Sequence, residues 1–173
     1  MKRPILLIVF IAILFASIGA YIGLKKFTPT KPANAAVASL MISALPDTNN
    51  QTQKFSQWQG KTLLVNFWAT WCPPCVAEMP ELVALQTEMA DKNLQIVGIG
   101  IDSPSNIQEF AAKYKISYPL LMAGMNGTEL ARQFGNVGGG LPFTVLINAD
   151  GEIKKTYLGR LDMSIVRKDL QEK

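Results

Sequence analysis

Residues 62–75 read TLLVNFWATWCPPC, a β-prone apolar run that ends at two closely spaced cysteines. Thr62–Trp68 shows no alternation of polar and apolar residues, so a central strand buried on both faces is expected there. After Pro73 the period changes. Val76, Met79, Leu82, Val83 and Met89 recur at three- and four-residue spacing, which predicts a helix over residues 73–90. Pro80 removes one backbone donor inside that helix and should kink it. The two thiols thus lie where a strand hands over to a helix.

That position has chemical meaning. Unpaired N–H groups and the positive end of the helix dipole stabilise a thiolate at a helix N-terminus. Pro73 suits the first turn, where its missing N–H would have had no partner. Cys72 then reads as the attacking nucleophile and Cys75, one turn inward, as the thiol that resolves the mixed disulfide. A purely structural disulfide is the bland alternative. Closing a four-residue ring yields only ~2 kcal/mol of loop entropy, against ~3 for fifteen residues, so a staple belongs at longer range. A different chemical class also fits two thiolates: capture of Cu(I), which prefers soft ligands such as Cys and Met. Met79 follows in the same helix, but Met122 and Met125 are distant, and Met at helical spacing usually fills a core.

Outward from the dithiol the chain alternates strands and helices. Residues 40–45 suggest a short strand, residues 46–50 a polar turn and residues 55–60 a helical turn. Residues 94–101 (LQIVGIGI) form a second buried strand, and Asp102-Ser103-Pro104 starts a helix that runs to about Tyr114. A strand at residues 118–122, a short helix at 128–134 and a Gly138-Gly139-Gly140 loop come next. Residues 143–148 and 152–157 pair across a two-residue Asp150-Gly151 turn, and a helix over residues 161–172 closes the chain. The pattern implies an α/β fold: a mixed sheet with helices on both faces.

Composition narrows the chemistry. Hydrophobic residues make up 49% and charged residues 17%, which excludes collagen, low-complexity disorder and a polytopic membrane protein. There is no His and only two Cys, so neither a structural zinc site nor a His-dependent triad can be built. Gly98-x-Gly100 lacks the further glycine of a dinucleotide fingerprint. No cofactor and no metal are expected. The net charge of +4 is also uninformative about nucleic acid. Lys2, Arg3, Lys25, Lys26 and Lys31 fall in the first 36 residues, which hold no acid, and the remainder is nearly neutral.

Residues 5–24 are uncharged and mostly apolar, with Lys2 and Arg3 before them and Lys25 and Lys26 after. Twenty residues at about 1.5 Å each make roughly 30 Å of helix, the thickness of a bilayer core. Residues 1–26 read as an uncleaved membrane anchor, with a cleaved signal peptide ending near Ala33-Asn34-Ala35 as the alternative. Both readings export the remainder of the chain. Residues 27–39 read as a tether and residues 40–173 as one domain.

NFWATWCPPCVAEMPEL (66–82), GLPFTVLINADGEI (140–153) and the leading apolar run together resemble membrane-anchored thioredoxin-like thiol–disulfide oxidoreductases of the TlpA/ResA/DsbE type. The resemblance covers residues 40–173. It implies a thioredoxin fold with a central αβ insertion, here residues 103–138, on the periplasmic or extracytoplasmic side of the cytoplasmic membrane. It implies reduction of disulfides in other exported proteins, apocytochrome c or copper-site assembly proteins being the usual clients, and a membrane electron donor that recharges the dithiol. Disulfide oxidation is the alternative direction. By position, Leu141 and Pro142 correspond to the family's cis-proline loop, which faces the dithiol and pairs with an extended substrate segment. Glu78 corresponds to a glutamate that influences proton transfer at the thiols. Trp71, and with it Trp68, would shield the sulfurs and offer an apolar docking surface, although Trp68 reads equally well as core. Asn66 departs from ordinary thioredoxins, which carry a buried acid there; this leaves Glu78 as the carboxylate available to Cys75.

Overall fold

The structure, a computed structural model, describes residues 32–172. Residues 1–31, which hold the expected anchor and the start of the tether, lie outside the described residues. Among the described residues no helix is long and apolar enough to cross a membrane.

The first element corrects the expected tether. Pro32–Ile42 is a helix, α1, and the strand expected over residues 40–45 begins only after it. The segment is rich in Ala, the best helix former, and a proline occupies its first position, where the lost N–H costs nothing. Ala36, Val37 and Leu40 are buried and pack in one cluster with Phe55 and Trp58. This segment therefore belongs to the folded domain. Ser43 ends the helix, its N–H reaching the Leu40 carbonyl at 3.0 Å.

A small hairpin comes next. Strand β1 (Ala44–Pro46) pairs antiparallel with β2 (Thr52–Lys54), a strand that sequence reading misses. The expected polar turn lies between them, organised by the Asp47 carboxylate, which accepts the N–H groups of Asn49 at 2.8 Å and Gln51 at 2.9 Å. A 3₁₀ turn at Phe55–Trp58 leads into the main sheet.

That sheet contains β3 (Thr62–Trp68), β4 (Leu94–Gly100), β5 (Leu120–Met122), β6 (Phe143–Ile147) and β7 (Ile153–Leu158), in the spatial order β5-β4-β3-β6-β7. The apolar run β3 sits at the centre, parallel to β4 and antiparallel to β6. Its register sets Asn66 beside Gly98 on one flank and Thr144 on the other. Helix α2 (Pro73–Glu88) leaves β3 through the dithiol and runs on through Pro80. Between β4 and β6 lies the insertion: α3 (Pro104–Tyr114), β5 and α4 (Asn126–Gln133). The Ser103 hydroxyl caps α3 by accepting the Asn106 N–H at 3.3 Å. The β6–β7 loop is one residue longer than expected. Asn148 and Glu152 pair across it at 2.9 Å, leaving three residues between them, and Gly151 takes the positive φ of 86° that this turn requires. Helix α5 (Met163–Gln171) closes the fold.

Both faces of the sheet are covered. Met79, Leu82 and Leu85 of α2, Ile107 and Phe110 of α3 and Val166 of α5 pack on one face with Leu64, Trp68 and Ile96. Helices α1 and α4 cover the other, against Leu63, Val65, Phe67 and Val97. Gly98 and Gly100 have a packing role: a Cβ at 98 would come within 2.6 Å of Leu120, and one at 100 within 2.4 Å of Ile107.

Candidate active site

Beyond Trp68 the chain makes a four-residue turn closed by the Cys72 N–H on the Ala69 carbonyl at 3.2 Å. Cys72 takes an extended conformation as the residue capping α2. A disulfide joins it to Cys75, with the sulfurs 2.02 Å and the Cα atoms 5.3 Å apart. The two sulfurs are not equivalent. Cys72 is 5% exposed, whereas Cys75 is 0% exposed. Trp71 stands out beside them at 66%.

The helix mouth offers fewer donors than an ordinary one. Pro73 and Pro74 have no N–H, and the Val76 N–H is taken by the Cys72 carbonyl at 3.1 Å. The Cys75 amide is the first-turn N–H left to stabilise a Cys72 thiolate, together with the helix dipole.

Glu78 lies one helical turn past Cys75, fully buried. Its Oε1 accepts the Asn66 Nδ2 donor at 2.7 Å and its Oε2 accepts the Leu161 N–H at 2.9 Å. Asn66 Nδ2 also donates to Thr144 Oγ1 at 2.9 Å. Burial holds the Glu78 carboxyl above the usual range. The donors from Leu161 and Asn66 and the Arg160 charge offset this in part, while the Glu81 charge adds to it. Glu81 itself faces outward in an ion pair with Arg160 at 2.7 Å. At that exposure such a pair contributes about 0–1 kcal/mol.

The third component is the loop before β6. The Leu141–Pro142 bond is cis, and the Pro142 carbonyl accepts the Gly159 N–H at 2.8 Å. Among the described residues no backbone partner meets the Leu141 N–H or C=O. Leu141 and Trp71 line one groove of about 480 Å³ with Asp102, Met125 and Thr128. The structure thus gathers Cys72, Cys75, Trp71 and the Leu141–Pro142 loop at one end of the sheet, and it sets Glu78 behind the dithiol rather than in the groove. Trp68 is core: it is fully buried and packs at a tilt against Phe110, with ring centroids 5.0 Å apart. Met79 is equally buried, as core filler.

Sequence reading misses Thr144 and Leu161, which complete the hydrogen bonds around Asn66 and Glu78. Leu161 contributes a backbone N–H, which no residue type announces. Thr144 shows only in the register, as the β6 neighbour of Asn66.

Comparison with known proteins bears on this arrangement. Residues 25–170 match the Redoxin family. The chain belongs to the Redoxin family. Within it, the chain is 30% identical over 128 residues to the thiol–disulfide oxidoreductase ResA of Halalkalibacterium halodurans, covering 73% of this chain and 70% of that protein. It is 26% identical to ResA of Geobacillus thermodenitrificans, covering 98% of this chain and 95% of the relative. Among solved structures it resembles a thioredoxin-family thiol:disulfide interchange protein from Chlorobium tepidum, with a TM-score of 0.66 and 26% identity, over 75% of this chain and 90% of the other. This Redoxin is a ResA-like thiol–disulfide oxidoreductase with a thioredoxin fold.

Proposed function

We propose that the protein is an exported, membrane-tethered reductase of disulfides in other exported proteins, with Cys72 and Cys75 as the reacting pair. The observation that carries this reading is the asymmetric dithiol: Cys72 at the edge of the surface, Cys75 buried and Glu78 behind it. In the reduced protein the Cys72 thiolate attacks a client disulfide. One client sulfur leaves as a thiolate and takes a proton, and the other remains bonded to Cys72. Cys75 then loses its proton and attacks the Cys72 sulfur. The second client thiolate leaves, and two electrons have passed to the client while the 72–75 disulfide forms. Glu78 is the buried carboxyl suited to accept the Cys75 proton, because an acid held above its ordinary range exchanges protons closer to neutrality.

Trp71, Leu141 and Pro142 receive the client. The unpaired N–H and C=O of Leu141 suit an extended segment added beside the loop, and Trp71 offers apolar area. Residues 5–24 anchor the chain in the cytoplasmic membrane with the domain outside it, and a membrane electron donor restores the dithiol. The clients are of the kind met in cytochrome c maturation or metal-site assembly.

A redox titration of the full chain, with Cys72→Ser and Cys75→Ser controls, tests the reading. A midpoint near about −270 mV supports a reductase, and one near about −120 mV reverses the direction. Exchange activity that survives Cys72→Ser rejects dithiol catalysis. Cys75→Ser should accumulate a mixed disulfide on Cys72 and so name the client.

A further inference from the structure

We propose that Thr70 and Asp102 are a positioning pair for the dithiol, the Asp102 carboxylate fixing the turn that presents Trp71 and Cys72. The strand register creates the pair. In the parallel β3–β4 ladder Trp68 lies beside Gly100, and the Ile101 N–H reaches the Trp68 carbonyl at 2.8 Å. Two residues further on, Thr70 and Asp102 come together where the ladder has ended. Past that point a backbone N–H has no strand partner, and a side chain supplies one.

Asp102 does so with both oxygens. Its Oδ2 accepts the Thr70 N–H at 3.3 Å and the Thr70 hydroxyl. Its Oδ1 accepts the Ser103 N–H at 2.7 Å and Asn106 Nδ2 at 2.8 Å. One carboxylate thereby joins the start of α3 to the dithiol turn. These donors keep its proton affinity below the ordinary range even though burial pulls the other way.

The turn it grips carries the attacking thiol. Thr70 and Trp71 are the two central residues between Ala69 and Cys72, and a single backbone hydrogen bond, at 3.2 Å, closes that turn among the described residues. Without Asp102, Thr70 is free to rotate, and Trp71 and the Cys72 sulfur rotate with it. The Cys72 sulfur would then leave the helix axis, where the Cys75 amide is the remaining first-turn donor. Trp71 and Asp102 also line the same groove, so the turn sets one wall of the client site.

A simpler role for Asp102 would be to cap α3 through Ser103 and Asn106. The two roles separate by mutation. The inference rests on Cys72 being the attacking thiol, and the alkylation arm of the test reads that thiol without a client. The full chain in detergent, reduced, is compared as wild type, Thr70→Val, Thr70→Ser and Asn106→Ala. Alkylation of Cys72 by iodoacetamide at about neutral pH, thermal unfolding, and KM and kcat for a disulfide peptide are measured. Thr70→Val should slow alkylation and raise KM about fivefold each, while Thr70→Ser, which keeps the hydroxyl, stays within about twofold of wild type; fivefold corresponds to ~1 kcal/mol. Asn106→Ala should lower the unfolding temperature and leave Cys72 alone. Wild-type alkylation and KM in Thr70→Val overturn the proposal, as does equal slowing in Asn106→Ala. Exchange surviving Cys72→Ser would instead overturn the proposed function and leave the alkylation comparison readable.

Discussion

The Asn66 side-chain amide meets the Glu78 carboxylate at 2.7 Å inside the fold, so a strand residue and a helix residue share one buried hydrogen bond directly behind the dithiol. Asn is the apt partner: its NH₂ group donates to Glu78 and Thr144 without adding a second negative charge.

Replacing Asn66 by Asp should be costly above neutrality. Two carboxylates in that contact cannot both ionise, so one is forced to keep its proton. The pair would then lose its second proton well above the unfolded carboxylate value, and the folded state would lose stability as pH rises toward that step. Thermal unfolding should show Asn66→Asp close to wild type at about pH 5 and clearly below it at about pH 8. An equal deficit at both values would contradict the argument.

Glu78→Gln tests the same carboxyl from the other side. Its folded pKa lies above the ordinary glutamate value, so its contribution to stability is fully present below the unfolded pKa and fades as pH rises through the folded one. Wild type should therefore lose unfolding temperature relative to Glu78→Gln between acid and neutral pH. Single-turnover kinetics should show the resolving step slowed by about 10²-fold, the lower end of what a positioned general base provides.

Trp71→Ala should separate docking from folding. The side chain is 66% exposed, so the change in stability should stay within about 0.5 kcal/mol. On the proposed docking role of the indole, which takes no part in proton transfer, KM for a disulfide peptide should rise with kcat nearly unchanged. Steady-state kinetics on the full chain decide this, and a fall in kcat alone would count against it.

Leu40→Ala should behave as a core mutation. A linker residue would tolerate the change, whereas a fully buried leucine truncated to alanine costs about 2–5 kcal/mol. Denaturant unfolding should show that loss without a change of redox midpoint.

The centre of the fold is legible in the residues themselves. β3 and α2 declare themselves because a nearly unbroken apolar run, two cysteines and a change of period leave little else for the chain to do. The insertion is legible from Asp102-Ser103-Pro104, whose capping chemistry is local. Helix α1 escapes such a reading because its Ala, Val, Leu and Met occupy several sides rather than one stripe, and its proline resembles a linker's. What makes it helical is a sheet face needing cover, a tertiary cause invisible in a short window. Strand β2, Thr52–Lys54, is polar and short and carries no pattern at all. At the site, Glu78 stands out by its distance from Cys75, but the Leu161 amide and the Asp102 grip on Thr70 join residues 83 and 32 positions apart, which only the folded chain brings together.

The unequal burial of the two sulfurs also governs timing. Cys75 has no outer surface, so bystander thiols in the surroundings can neither intercept it nor compete for it. On the proposed mechanism every encounter begins at residue 72, and the mixed disulfide formed there is open both to Cys75 from within and to thiols from outside. The lifetime of a captive client is then a race, in which the buried partner starts already adjacent to Cys72 while every outside competitor must first arrive by diffusion.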